Sequence, residues 1–382
     1  MAQWNRVPLI DYIELIGGGT PKTTVPEYWN GNIPWLSVKD FNNDKRYVYS
    51  TEKHISQSGF ENSPTKMLHK DDIIISARGT VGEIAMIPFD MAFNQSCYGI
   101  RASRGIDQPF LYYLLKNCIL QLKRMTHGSV FDTITRDTFA NIEVDIPDAE
   151  TQKRISSVLA DIDNKIEVND AINDNLHQQA ATLFKALFVD LTPFDGTMPP
   201  NWTISTLGDA TEMGAGGDKP KESSPVKTPL CPYPIYSNGI NDYGLYGYTN
   251  DPKIKVESVT VSARGTIGYV CLRHTPYVPI VRLVTLIPDT KVLSAKYLYL
   301  YLRQLHITGT GTTQQQLTVP DFRKTEIIIP DKNTMDSFTE TVTPLFEQIW
   351  ANEDENTKLA EVRDALLPKL MSGEIDVSDI QL

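Results

Sequence analysis

Residues 155–187 read ISSVLADIDNKIEVNDAINDNLHQQAATLFKAL. Within them Ile155, Leu159, Ile162, Ile166, Asn169, Asn173, Leu176, Ala180, Leu183 and Leu187 follow one another at alternating steps of four and three. The same steps recur at Phe338, Val342, Leu345, Ile349, Asn352, Asn356, Leu359, Arg363, Leu366 and Leu370. Such spacing keeps one stripe on one side of a helix, so each stretch predicts a long helix with a coiled-coil seam. At 1.5 Å per residue each seam is about 50 Å long. An amphipathic helix packed only on its own domain is the alternative, and the strict alternation in both copies argues against it. The centre of each seam is polar. Asn169, Asn173, Asn352 and Asn356 cost stability there but penalise slipped registers, because an unpaired buried amide loses its hydrogen bonds. Both pairs lie near the seam midpoints, so they fix register without choosing between parallel and antiparallel pairing.

Outward from the seams, the whole chain is one unit written twice. Ser76-Ala77-Arg78-Gly79-Thr80-Val81-Gly82 returns as Ser262-Ala263-Arg264-Gly265-Thr266-Ile267-Gly268. Ile146-Pro147-Asp148 returns as Ile329-Pro330-Asp331, Phe139 as Phe322, and Trp4 and Leu9 as Trp202 and Leu207. The first part of each copy is rich in Gly, Pro, aromatic residues and short β-branched runs, which predicts a compact mixed domain with many strands. The expected organisation is four segments: globular domains at 1–148 and 191–331, and helices at 149–190 and 332–382. The fold class is α+β.

The formal net charge of −11 is unevenly placed. Residues 1–148 hold 15 basic and 17 acidic side chains, and residues 191–331 hold 13 and 12. The helical segments hold 4 against 7 and 4 against 11, so the acidity belongs to them. The globular segments are nearly neutral and remain able to present a local basic face. No apolar run approaches the roughly 20 residues needed to span a bilayer, and Met1 to Arg6 carry no secretory pattern. These features predict a cytoplasmic protein without membrane contact. Cys97, Cys118, Cys231 and Cys271 are scattered and read as buried reduced thiols. Neither they nor the six histidines have metal-ligand spacing.

Reactive constellations are equally absent from the sequence. There is no GxxxxGK[ST] phosphate loop, no GxSxG elbow and no aromatic-capped tetrapeptide of the kind adenine methyltransferases place against a flipped base. Gly17-Gly18-Gly19-Thr20 lacks the third glycine of a dinucleotide site. Asp148, Glu150 and Lys153 superficially resemble a nuclease cluster. Their spacing is wrong, however, and Glu150 is better placed to favour the positive end of a helix. The sequence predicts a non-catalytic chain.

Two divergent domains, each followed by a long similar helix, resemble the specificity subunit of Type I restriction-modification systems. The resemblance covers essentially the whole chain. It is carried by Ile33-Pro34-Trp35-Leu36, Pro234-Ile235-Tyr236-Ser237-Asn238-Gly239, both Ser-Ala-Arg-Gly-Thr strands, both Ile-Pro-Asp exits and the closing Leu366-Leu367-Pro368-Lys369-Leu370-Met371-Ser372-Gly373. It implies two target recognition domains, each reading half of a bipartite double-stranded DNA target, spaced by two antiparallel coiled-coil helices with pseudo-two-fold symmetry. It also implies two modification subunits docked on the helices and a motor-nuclease restriction subunit. S-adenosylmethionine, ATP and Mg would sit on those partners and no cofactor on this chain. A recognition module of an atypical methyltransferase-nuclease and a coiled-coil scaffold without DNA affinity are the competing readings.

Duplication also separates roles. Residues identical in both copies cannot distinguish two half-targets, so Arg78, Thr80, Arg264 and Thr266 suit phosphate contact or an internal bridge rather than base reading. Base readers are expected where the copies diverge: Lys39, Asn42, Lys45, Arg46, His127 and Ser129 in the first domain, and Asn238, Asn241, Thr310, Thr312, Gln314, Gln315 and Gln316 in the second. Asn and Gln pair with adenine at two points, and Arg or Lys with guanine. The bland alternative for Gln314 to Gln316 is a solvated loop. Tyr236, Tyr243, Tyr246 and Tyr248 offer surfaces for sugar or thymine methyls, with strand packing as their plainer use.

Overall fold

A computed structural model describes residues 4–125, 133–309, 316–378 and 380. The chain divides into two compact units, Met1–Ala171 with Asn352–Leu382, and Ile172–Ala351. Each unit takes one globular part and the adjoining stretches of both long helices.

The first unit contains β1 (Asn5–Pro8), β2 (Ile13–Gly17), β3 (Trp29–Leu36), β4 (Lys53–Ile55), β5 (Met67–Leu68), β6 (Ile73–Ser76), β7 (Ile84–Met86), β8 (Met91–Phe93), β9 (Cys97–Ala102) and β10 (Glu143–Ile146). They form two four-stranded sheets, ordered β2-β9-β6-β7 and β4-β3-β8-β5, and a two-stranded ladder of β1 with β10. Only the β3–β8 pairing is parallel among these ladders. The β-branched run Ile73-Ile74-Ile75 builds a central strand that is buried throughout. Helix α1 (Gln108–Met125) covers the first sheet through Phe110, Leu111 and Leu114.

The second unit repeats this plan. It contains β11 (Thr203–Thr206), β12 (Thr211–Ala215), β13 (Ser223–Ser224), β14 (Tyr233–Tyr236), β15 (Leu245–Thr249), β16 (Ser258–Val261), β17 (Val270–Arg273), β18 (Val278–Pro279), β19 (Val284–Pro288) and β20 (Glu326–Ile329). The sheets are β12-β19-β16-β17 and β13-β15-β14-β18, with β11 paired to β20, and again a single parallel pairing joins β14 to β18. The expected α+β class and internal duplication are both present. Cys97, Cys118 and Cys271 are buried and none is in a disulfide, whereas Cys231 is only half-buried. Burial pushes the Cys97 and Cys118 thiols up to about 12. No helix among the described residues is long and apolar enough to cross a membrane.

The long helices are α2 (Ala149–Phe184), extended by a wider turn over Lys185–Val189, and α4 (Lys332–Met371); the second unit's α3 (Ala295–Gln304) plays the part of α1. The repeated Ile-Pro-Asp explains where both begin. Asp148 accepts from the backbone N–H groups of Glu150 and Thr151 and from the Thr151 hydroxyl. Asp331 accepts in the same way from Asn333 and Thr334. Each aspartate is therefore an N-cap that ties down the first free donors of its helix. Glu150 stands in the first turn of its helix, as expected from sequence, and also pairs with Arg154 one turn on.

Within each unit the helices run antiparallel. In the first, Asp163 meets Arg363 and Asn169 meets Asn356, so partners descend on one helix as they ascend on the other. In the second, Asn173 donates to the Ile349 carbonyl, His177 packs edge-on to Phe346, and Phe184 meets Phe338. The seam departs from strict heptads at one end. Leu183 is exposed, while Ala180, Phe184 and Phe188 are buried at steps of four. Successive steps of four carry the buried stripe round the helix ahead of the wide turn at Lys185–Val189.

Candidate nucleic-acid interface

The two Ser-Ala-Arg-Gly-Thr segments fold into the same turn. Ser76 ends β6; its hydroxyl donates to the Thr80 carbonyl at 2.6 Å and accepts from the Glu83 N–H at 2.8 Å. Ser262 donates to the Thr266 carbonyl and accepts from the Tyr269 N–H at 2.9 Å. Gly79 and Gly265 lie at φ +81° and +69°, a left-handed conformation that favours glycine. The result holds Arg78 and Thr80, and Arg264 and Thr266, out in solvent at the tip of a rigid hairpin. A returning chain segment seals each turn from one side, with Ile134 N–H on the Ala77 carbonyl and Leu317 N–H on that of Ala263.

In the first unit this turn forms one wall of an open cleft of about 390 Å³. Lys39, Asn42, Lys53, Trp35, Asn94 and Ser96 also line it, with Glu52 as the one carboxylate side chain among its described lining residues. Ser37 and Asp40 cap the short helix that carries Lys39 reciprocally, and Asp40 also accepts from the Glu52 N–H. The Trp35 indole is fixed by a bond to the Gly19 carbonyl. Neither Lys39 nor Arg78 enters an ion pair among the described residues. A preorganised, net positive concavity with an amide on its wall is chemically suited to a polyanion bearing hydrogen-bonding edges.

Lys45 and Arg46 do not join this cleft, which corrects their expected placement. Lys45 pairs with Asp170 on α2. Arg46 is 8% exposed, donates to Asn164 and lies over the Tyr47 and Tyr113 rings. Burying a guanidinium among aromatic faces leaves no free edge for an external base. The intervening Asp44 binds Lys116 and Arg363. Burial alone would raise its carboxyl pKa, but these two cations outweigh that and hold it below the usual range.

In the second unit, Asn238 is engaged at both ends of its amide: it accepts from the Ala263 N–H at 2.7 Å and donates to the Val281 carbonyl at 2.6 Å. Gln316 accepts from Arg264 at 3.1 Å and so orients that guanidinium. Asn241 is exposed at the start of a short helical turn. Tyr236 packs under Arg273, whose guanidinium lies 3.6 Å from its ring centroid, and Tyr248 is half-buried. Tyr243 and Tyr246 are exposed, with Lys219 over the Tyr246 ring. His127, Ser129, Thr310, Thr312, Gln314 and Gln315 lie outside the described residues. Sequence reading missed Arg282, exposed in a left-handed turn with Val281. The apolar run Val278 to Val284 reads as one strand, and no glycine marks the turn inside it. The divergence criterion was the available signal, since Ser96 holds the matching place in the first unit.

Among the described residues no cluster of His, Cys, Asp or Glu is arranged to hold a metal. The family model for the Type I restriction modification DNA specificity domain matches residues 1–178 and again 199–361. The chain is 28% identical to the Type I restriction enzyme MjaIX specificity subunit of Methanocaldococcus jannaschii, over 99% of this chain and 94% of that one. It is 26% identical to the HindI specificity subunit of Haemophilus influenzae, over 65% of this chain and 72% of that one. In fold it is similar to the crystal structure of a Type I restriction-modification S subunit from M. genitalium, with a TM-score of 0.56, 15% identity, and 97% and 96% of the two chains covered.

Proposed function

Since the chain belongs to the Type I restriction modification DNA specificity family, we propose that its two globular parts, 1–148 and 191–331, each read one half of a bipartite DNA target. The chain is the sequence-specificity subunit of such a system and not its catalyst. Adenine methylation would be carried out by two modification subunits using S-adenosylmethionine, and cleavage by a motor-nuclease subunit using ATP and Mg. The acidic helices at 149–190 and 332–382 suit protein docking better than DNA contact. The system would work in the cytoplasm.

The observation that carries the two-reader assignment is the identical Ser-Ala-Arg-Gly-Thr turn in two units whose neighbouring surfaces differ. Arg78, Thr80, Arg264 and Thr266 then make the shared phosphate contacts. Lys39 and Asn42 read bases in the first half. Asn241 and Gln316, with the segments holding His127, Ser129, Thr310, Thr312, Gln314 and Gln315, supply further readers. Asn238 acts by holding the turn in place.

Methylation mapping of a host co-expressing this chain with its methyltransferase partner tests the assignment. It should give a bipartite motif with modified adenines. Exchanging residues 1–148 for those of a relative with another target should alter one half of the motif and leave the other unchanged. A change in both halves, or in neither, rejects modular reading.

A further inference from the structure

The second unit carries an arginine that its counterpart lacks, at an exposed turn of left-handed backbone. Val281 and Arg282 have φ values of +52° and +61° in succession. Left-handed backbone is unfavourable for any residue with a Cβ and most so for a β-branched one such as Val281. Two adjacent cases persist only where surrounding bonds over-determine the conformation. Those bonds are present. The Val281 and Arg282 N–H groups donate to the Gly217 and Gly216 carbonyls, each at 2.9 Å, and Asn238 donates to the Val281 carbonyl at 2.6 Å. A side chain at Gly216 would strike the Ile280 backbone at 2.7 Å, so the close approach also requires that glycine.

This turn ties the backbone just before Arg282 to the backbone just before Arg264. The Asn238 amide binds Ala263 with one end and Val281 with the other, and those are the residues immediately preceding the two arginines. Arg282 is exposed and enters no ion pair or side-chain hydrogen bond among the described residues. In the first unit the same framework, Asn94 N–H on the Leu36 carbonyl, matches Ile280 N–H on that of Tyr236. The place of Arg282 there belongs to Ser96, which lines the cleft with Arg78. The equivalent position therefore lines the candidate cleft in the first unit and is cationic in the second.

Resting on the two-reader assignment above, we propose that Arg282 is a base-reading residue of the second domain, directed at a guanine edge. Arg264, shared by both copies, suits the backbone, whereas a planar guanidinium unique to one copy suits sequence discrimination. Its paired donors match the O6 and N7 acceptors of guanine in the major groove. The constrained turn removes the backbone freedom that would otherwise blur that contact.

Methylation maps of the co-expressed complex test this with wild type, Arg282→Ala and Arg282→Gly. The glycine variant suits the left-handed backbone and removes the guanidinium. Both variants should keep the first half-motif and relax one G·C position of the second, with discrimination there falling at least about tenfold. An unchanged motif overturns the proposal, as does uniform loss of methylation across an unchanged motif, which marks a phosphate contact. Relaxation in the alanine variant alone also overturns it, because the backbone would then be responsible. A wild-type map without a bipartite motif removes the two-reader assignment itself, a failure visible before any variant is compared.

Discussion

Arg363 places Nη1 2.9 Å from Oδ1 of Asp163, and each side chain is only 4% exposed. The second oxygen of Asp163 accepts from the Tyr113 hydroxyl at 2.6 Å, and the Arg363 Nη2 reaches Asp44 at 2.8 Å. The pair thus ties α2, α4, α1 and the loop after Asn42 into one polar knot inside the first unit. Its seam counterpart in the second unit is Ala180, buried in apolar packing. A buried ion pair gains little over a well-packed apolar one, but removing one partner leaves the other charged and dry. Arg363→Ala is expected to destabilise the first unit by about 3–5 kcal/mol. Joint replacement, Arg363→Met with Asp163→Leu, should cost clearly less than the two single changes added together. Urea unfolding of the four proteins closes this cycle. Additive losses would show that the pair is not coupled.

Asp44 gives this knot a dependence on pH. Burial opposes its ionisation, yet Lys116 and Arg363 outweigh burial and lower its pKa in the folded chain. The unfolded carboxyl titrates near 3.9. Ionised Asp44 therefore contributes its full stabilisation above that value and loses it as pH falls through the lower folded one. Two thirds of the Asp44 side chain is exposed, so solvent screening keeps the effect modest. Unfolding midpoints of wild type and Asp44→Asn should differ by a constant amount above about pH 5 and converge as the solution is acidified. A gap that widens toward low pH contradicts this assignment.

The seams carried most of the architecture in plain view. All ten stripe positions from Phe338 to Leu370, and nine of the ten from Ile155 to Leu187, are buried or half-buried, Leu183 alone being exposed, because side-chain period follows helix geometry. Direction was not legible, since polar centres near both midpoints satisfy either pairing; Asp163 and Arg363 decide it by charge. The repeated Ser-Ala-Arg-Gly-Thr marked two exposed turns. The neighbours of those turns were harder to read. Arg46 looked like a free cation in a polar loop, and only tertiary packing shows Tyr113 and Asn164 beside it. Arg282 was hidden for the opposite reason, inside an apolar run whose left-handed turn is imposed by Gly216, Gly217 and Asn238 from elsewhere in the chain.

The asparagine pair of the first unit predicts a trade between stability and uniqueness. Asn169 donates to Asn356 at 2.9 Å and to Glu355 at 2.8 Å, and Asn356 donates to Asp170 at 2.9 Å. Asn169→Leu alone strips a donor from the Asn356 carbonyl and should destabilise the unit by about 1–3 kcal/mol. Asn169→Leu with Asn356→Leu removes both amides together and should restore or exceed wild-type stability. That double variant should also lose its single register and populate additional oligomers. Thermal unfolding and solution mass report the two effects separately; a double variant that stays monodisperse and unfolds earlier would contradict both expectations.

The shared arginines predict a loss that ignores sequence. Arg78 and Arg264 occupy the same turn in both units and are exposed in both. A cation that neutralises one phosphate releases the counterions held there, which makes affinity fall with salt at about 0.9 logarithmic units of affinity per logarithmic unit of salt. In the complex with the modification subunits, Arg78→Ala and Arg264→Ala should each weaken DNA binding while lowering the steepness of that dependence by about 0.9. The methylated motif should remain unchanged, because a phosphate contact has equal value at every sequence. Binding titrations at several salt concentrations, alongside methylation maps, measure both quantities. A relaxed base position in either variant would move that arginine from the backbone to the base edges.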